Sequence, residues 1–241
     1  MGTNYNPPIV TDGLVFCVDA ANQRSYPKSG TTWSDLAGAN DGTLTNMGAS
    51  NFSSDNAGSF SFDGSNDSVT VTSNNLSFNV QSGSSFLAWV KPDTVSGGDS
   101  FSSTNPKYII SKGSGSVATA NFLFRILGGK INFTYAYASS QYVSQKSNSS
   151  VVTANNWNFI SAVHEGSSIK LYLNGSEAAS SAAGDSATNA SLTTGTSAYI
   201  GSEINNQRYF DGSIGAINIY NRALTADEVR QNYQATVGRY S

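Results

Sequence analysis

The sequence predicts an all-β protein, a sandwich of β-sheets with one short helix near the C-terminus. Two observations predict the sheets: short runs of alternating apolar and polar residues recur along the chain, and clusters of Gly, Ser, Asn and Asp separate them. A third predicts the helix. Thr225 and Glu228 stand at the spacing of a capping box, in which a hydroxyl serves the backbone N–H three residues on and the carboxylate reaches back.

Residues 156–175 show the strand pattern most clearly. Trp157, Phe159, Ser161 and Val163 alternate with Asn158, Ile160, Ala162 and His164; after a turn, Ile169, Leu171 and Leu173 alternate with Lys170, Tyr172 and Asn174. This reads as a hairpin with one face committed to a core. It stops at Asn174-Gly175, a dipeptide suited to the left-handed conformation of a tight turn.

In chain order, residues 1–12 form an extended arm, because Pro7 and Pro8 favour a polyproline-like path and cannot donate to a sheet. The arm is either a frayed end or a segment that docks on a neighbouring subunit. Residues 13–241 then make a single domain, with a first strand at 13–19 and a polar excursion pinned by Trp33. Strands follow at 59–62, 68–71, 86–91, 108–112, 122–127, 130–137 and 142–145, with Gly128-Gly129 turning one hairpin. The 86–91 run is apolar on both faces, which places it in the middle of a sheet. Residues 176–196, rich in Ala, Ser and Thr, read as a loop; strands at 199–201 and 215–220 precede a helix over about 226–233.

At 241 residues a sandwich buries enough surface to stand without disulfides, and the lone Cys17, inside an apolar run, reads as a small core residue. Net charge is −3 with 12% charged residues, so there is no basic stripe for nucleic acid and no polybasic anchor for a membrane. No apolar run approaches the roughly 20 residues that span a bilayer. Residues 1–10 lack the basic start and apolar stretch of a secretory signal, so export would follow another route. The sequons at Asn132 and Asn148 are expected by chance in a chain this rich in Asn, Ser and Thr.

Several runs together carry a family likeness. Phe62-Asp-Gly-Ser-Asn-Asp67, Ala88-Trp-Val-Lys-Pro92, Asn156-Trp-Asn-Phe159, Leu171-Tyr-Leu-Asn-Gly175, Ile200-Gly201, Phe210-Asp-Gly-Ser-Ile214 and the run from Ile219 to Glu228 stand in an order that resembles laminin-G-like domains of the concanavalin A-like superfamily. The resemblance covers residues 13–233 and implies a jelly roll of two curved antiparallel sheets. The opening from Gly13 to Leu36 is similar to the form of this domain in structural proteins of tailed, especially marine, bacteriophages. That likeness implies a virion surface protein, a capsid decoration or an adhesin, whose partners are other virion proteins, its own copies or cell-surface glycans. The alternative is an extracellular carbohydrate-binding module of a bacterial surface or polysaccharide-degrading system, and a glycosidase is the third reading.

For catalysis the sequence offers little. The four glutamates, Glu165, Glu177, Glu203 and Glu228, fall in turns, loops or the terminal helix rather than as a pair along one strand, and a retaining glycosidase needs carboxyls about 5.5 Å apart. His164 with Ser161 lacks an orienting Asp. No cofactor is required by the sequence; calcium is the metal that Asp63, Asn66 and Asp67 would take, and the plainer reading makes them turn residues. For glycan binding the candidates are Tyr135, Tyr137 and Tyr142, rings that would stack on sugar faces if their strand face is exposed and would be core if it points between the sheets.

Overall fold

The computed structural model describes residues 7–72, 76, 83–97, 106–113, 120–138, 141–166, 168–182, 197–203 and 208–240; the side chains at 113, 120, 136–138, 141, 142 and 182 lie outside this description. The described chain forms two antiparallel sheets, as the family resemblance implies. The eight-stranded sheet runs in the order β14 (Ser176–Ala178), β13 (Ser168–Leu173), β12 (Asn158–Glu165), β7 (Ser84–Pro92), β17 (Asp211–Tyr220), β5 (Ser59–Asp63), β4 (Phe52–Ser53), with β1 (Leu14–Asp19) also paired to β17. The nine-stranded sheet runs β15 (Ser180–Ala182), β11 (Gln141–Ser147), β10 (Lys130–Ala138), β9 (Ala120–Leu127), β8 (Lys107–Gly113), β16 (Ala198–Ile200), β6 (Ser68–Val71), β3 (Gly42–Thr45), β2 (Thr32–Trp33).

β17 is the axle of the first sheet. One edge pairs with β7 along most of its length; the other is shared, its first half with β5 and its second with β1. The register slips between Ile214 and Ala216, at Gly215. A Cβ there would stand 2.3 Å from the Tyr240 hydroxyl, so only glycine lets the C-terminal segment lie this close to the sheet.

Inward residues of both sheets make one core. Phe86 of β7 sits with its ring 4.8 Å from Phe122 and 4.8 Å from Phe133 of the facing sheet, and Phe16, Ile160, Ile217 and Ile219 surround them. The polar excursion after β1 is fastened at two points. Trp33 is fully buried against Phe60, with ring centroids 4.9 Å apart. Asp35 Oδ1 accepts from the amides of Cys17 and Ala37, both at 2.9 Å, and its Oδ2 accepts from Asn40 Nδ2 at 3.1 Å. Cys17 is buried as expected, and burial, followed by the charges of Asp19 and Asp35, pushes its thiol up to about 12, so it is no nucleophile at neutral pH.

The segment predicted as a loop departs from expectation over residues 176–182, which are strand. Asn174 (φ 50°) and Gly175 (φ 77°) make the predicted tight turn, and β14 then pairs with β13. After one residue the same stretch continues as β15 on the opposite sheet, paired with β11. Backbone pairing needs no apolar side chain, so composition hid a strand that closes this edge of the sandwich.

The expectation of one buried face for the 156–175 hairpin is also corrected. Ile160, Ala162 and Ile169 point into the inter-sheet core, while Phe159, Val163 and Tyr172 are buried on the other side. Their cover is α1 (Ala226–Thr236), which starts with the predicted capping box: Glu228 N donates to Thr225 Oγ1 at 3.2 Å and Thr225 N donates to Glu228 Oε2 at 2.8 Å. Trp89 stacks on Tyr240 at 4.2 Å, and its Nε1 donates to Thr236 Oγ1 at 2.8 Å. The N-terminal arm completes this layer. Val10 N donates to Asn232 Oδ1 at 3.1 Å, and Gln231 Nε2 donates to the Pro8 carbonyl at 2.8 Å, so residues 8–10 dock on the helix of their own chain.

Candidate functional site

Of the three tyrosines proposed for sugar stacking, Tyr135 is 1% exposed and lies between the sheets, where no glycan reaches it. Its ring stacks on His164 with centroids 5.1 Å apart, and burial pushes its phenol up. The alternation that put aromatic residues on one face of β10 is real, but that face is the core face. Tyr137 and Tyr142 have side chains outside the described residues. On the other face of β10, polar side chains bond one another. Arg125 Nε donates to Asn132 Oδ1 at 2.8 Å, Asn132 Nδ2 donates to Ser144 Oγ at 3.0 Å, and Thr134 Oγ1 lies 2.9 Å from Ser144 Oγ, all of them buried.

The Asp63–Asn66–Asp67 cluster is built as a turn. Asp63 Oδ1 accepts from the amides of Ser65 (2.8 Å), Asn66 (3.0 Å) and Asp67 (3.3 Å), and those backbone bonds hold its carboxyl below the usual carboxylate range. Asp67 Oδ2 accepts from Asn51 Nδ2 at 2.9 Å and from the Asp63 amide at 3.1 Å. N–H groups thus engage one oxygen of each carboxylate, Asp63 Oδ1 and Asp67 Oδ2, which is the bonding of a turn. Asp211, the first residue of β17 and paired with Asp63 in the ladder, bonds Lys107 at 3.3 Å.

Hydrolytic chemistry finds no constellation among the described residues. Ser161 and His164 point to opposite faces of β12: Ser161 lies across from Tyr172 on the helix side, and His164 across from Ile169 on the core side. Burial pushes the His164 imidazole down from its ordinary 6.5. Two glutamates are committed to arginine, Glu203 to Arg208 at 3.1 Å and Glu228 to Arg222 at 2.6 Å. No group of three or more His, Cys, Asp or Glu converges among the described residues.

What the chain does present is a cleft of about 320 Å³ where the N-terminus of α1 meets β12 and β13. The local sequence fixes it. Ser85 Oγ donates to the Arg222 carbonyl at 2.9 Å and accepts from Leu224 N at 2.9 Å, which ties the entry of the helix to β7. Arg222 grips Glu228 through two nitrogens, at 2.6 and 3.0 Å, and this pair holds the Glu228 carboxyl down to about 2. Val163 and Leu224 supply buried apolar surface; Glu165, Ser168 and Lys170 stand exposed around it, and Tyr172 lies buried within it. Lys170 sits opposite Val163, and Tyr172 opposite Ser161, in the β12–β13 ladder. The signal for this site was the second face of the organising hairpin, where Lys170 and Tyr172 share a side. A hairpin read as having one buried face gave no reason to look for a roofed hollow on the other.

Among the described residues no helix is long and apolar enough to cross a membrane. Comparison with solved structures finds the same fold in receptor-binding domains of botulinum neurotoxins. The serotype D binding domain matches with a TM-score of 0.65 at 17% identity, covering 95% of this chain and 52% of that one. The serotype D ligand-binding domain in complex with N-acetylneuraminic acid gives 0.65 at 18%, covering 95% and 52%. The serotype G binding domain gives 0.63 at 18%, covering 91% and 50%. This chain thus spans about half the length of those domains. No curated protein matches it in sequence. Residues 63–230 match the Laminin_G_3 family, described as concanavalin A-like lectin/glucanases superfamily. With that match over most of the sandwich, the chain belongs to the Laminin_G_3 family of the concanavalin A-like lectin/glucanase superfamily.

Proposed function

We propose that this chain is a lectin-like binding protein that holds glycans without cutting them, and that it works on the surface of a virion as a capsid decoration or adhesin. The observation that carries the binding reading is the contrast between its carboxylates. Glu203, Glu228, Asp63 and Asp67 are tied up by arginine or N–H groups, whereas Glu165 and Lys170 stand exposed at a cleft with an apolar floor. Such a surface recognises hydroxyl groups and offers no acid and base facing each other across a bond. The serotype D neurotoxin domain solved with N-acetylneuraminic acid supports a sugar ligand for this fold.

The virion placement rests on the likeness of residues 13–36 to phage structural proteins, and its partners there are other virion proteins or copies of itself. A carbohydrate-binding module working beside a second domain is the alternative, favoured by the fact that the fold makes up about half of the neurotoxin domains it matches. A glycan array run with and without a chelator, beside a fractionation of intact particles, tests both parts. Chelator-insensitive array signal and co-purification with particles are expected; a blank array removes the glycan reading, and recovery from soluble lysate alone removes the virion one.

A further inference from the structure

We propose that the cleft beside the α1 N-terminus takes a single uncharged pyranose, a neutral hexose at the end of a glycan; this rests on the glycan-binding reading above. The first ground is an unused hydroxyl. Tyr172 is 2% exposed, it lines the cleft, and its OH makes no hydrogen bond to any described residue. The ring is buried while the oxygen keeps contact with solvent, so a sugar hydroxyl entering the cleft can take the place of water on it. Across the ladder Ser161 is also buried, with its Oγ unpartnered. Ser161 lies beneath the cleft rather than in its lining, so the Tyr172 hydroxyl is the group with no protein partner that the cleft itself presents to a ligand carrying hydroxyls.

Size and charge narrow the class. A hollow of about 320 Å³ lies at the small end of the roughly 300–1,000 Å³ range of ligand pockets, which suits one ring better than a chain threaded through. Glu165 can accept from a sugar hydroxyl and Lys170 can donate to one, and their charges cancel. The positive end of α1 does not tip the balance toward an anion. Asp227 and Glu228 lie in its first turn, and the Glu228 carboxylate already accepts from the Thr225 amide. Glu177 stands opposite Tyr172 on β14 and adds negative charge nearby. A sugar carboxylate would meet that charge, whereas a neutral ring would lay its C–H face on Val163 and Leu224 and offer its hydroxyls to Tyr172, Glu165 and Lys170.

The test is an NMR titration of the full chain with the methyl glycosides of glucose, galactose and mannose, and separately with N-acetylneuraminic acid. Saturable shifts of the Lys170, Tyr172 and Ala226 amides with at least one neutral glycoside are expected. Tyr172→Phe should weaken that binding about tenfold, the worth of one hydrogen bond, with the melting temperature unchanged because the hydroxyl holds nothing in the protein. Glu165→Gln, on the exposed rim, gives a second variant that leaves the core untouched and should also weaken binding. The proposal is overturned if the cleft amides stay still with all three glycosides, if N-acetylneuraminic acid shifts them more strongly, or if both variants bind as the parent does. A positive glycan array with shifts mapping elsewhere discards the cleft and keeps the glycan reading; a blank array discards both.

Discussion

The eight-stranded sheet is covered on its two faces by different partners. On the inner face, Phe86, Ala88, Ile160 and Ile217 meet a whole second sheet, so every apolar group finds a neighbour. On the outer face, Leu87, Trp89, Phe159 and Tyr172 meet one 11-residue helix, Leu224 before it, Tyr240 after it and the segment around Val10. That helix reaches from Trp89 on β7 to the edge strand β14, and the cleft lies where its N-terminus meets β12 and β13. Full coverage gives stability; partial coverage gives a place to bind.

The largest expected effect lies on the inner face. Phe86→Ala removes a ring packed between Phe122 and Phe133 and should cost about 3–5 kcal/mol, measured as a fall in the urea midpoint. On the outer face, Trp89→Ala should cost about 3 kcal/mol, at the low end of that range, because a helix can settle where a sheet cannot. Hydrogen exchange would sharpen the contrast, with amides of α1 opening in Trp89→Ala while those of β9 and β10 stay protected. Comparable exchange in both layers would mean that the two faces are not energetically distinct.

Acid should act on the two faces in turn. On the inner side His164 is held neutral, its pKa pushed below 6.5 by burial, so the unfolded chain takes up a proton that the folded chain refuses. Stability from this source is present above about 6.5 and lost as pH falls below it; His164→Phe should flatten that slope. On the outer side Glu228, with its pKa drawn from 4.5 to about 2 chiefly by its bond to Arg222, stabilises the helix start above about pH 4.5 and loses that effect as pH drops toward about 2. Glu228→Gln should abolish the second phase alone. The smallest effect concerns the Asp63 turn: a chelator should leave the melting temperature unchanged, and a fall would show that an ion stabilises the native state.

Much of this fold was legible in the sequence because alternation and capping act locally. The hairpin of β12 and β13, its Asn174-Gly175 turn and the Thr225–Glu228 box stand where the residues put them. Side-chain direction was less legible. A row containing Phe133 and Tyr135 has the same period whether it faces sugar or core, and only the partner sheet decides. Strand β15 was hidden because its Ser and Ala residues make ladder bonds that composition does not encode. The cleft needed two things no local pattern contains, the landing place of α1 and an unpartnered Tyr172 hydroxyl.

The central claim is a protein that grips saccharides and leaves them whole. It is tested most directly by incubating the chain with insoluble polysaccharides and measuring, in the same tubes, protein pulled down and reducing ends set free. Retention on at least one polymer with reducing ends at the level of the protein-free control is predicted. A time-dependent rise in reducing ends would contradict it.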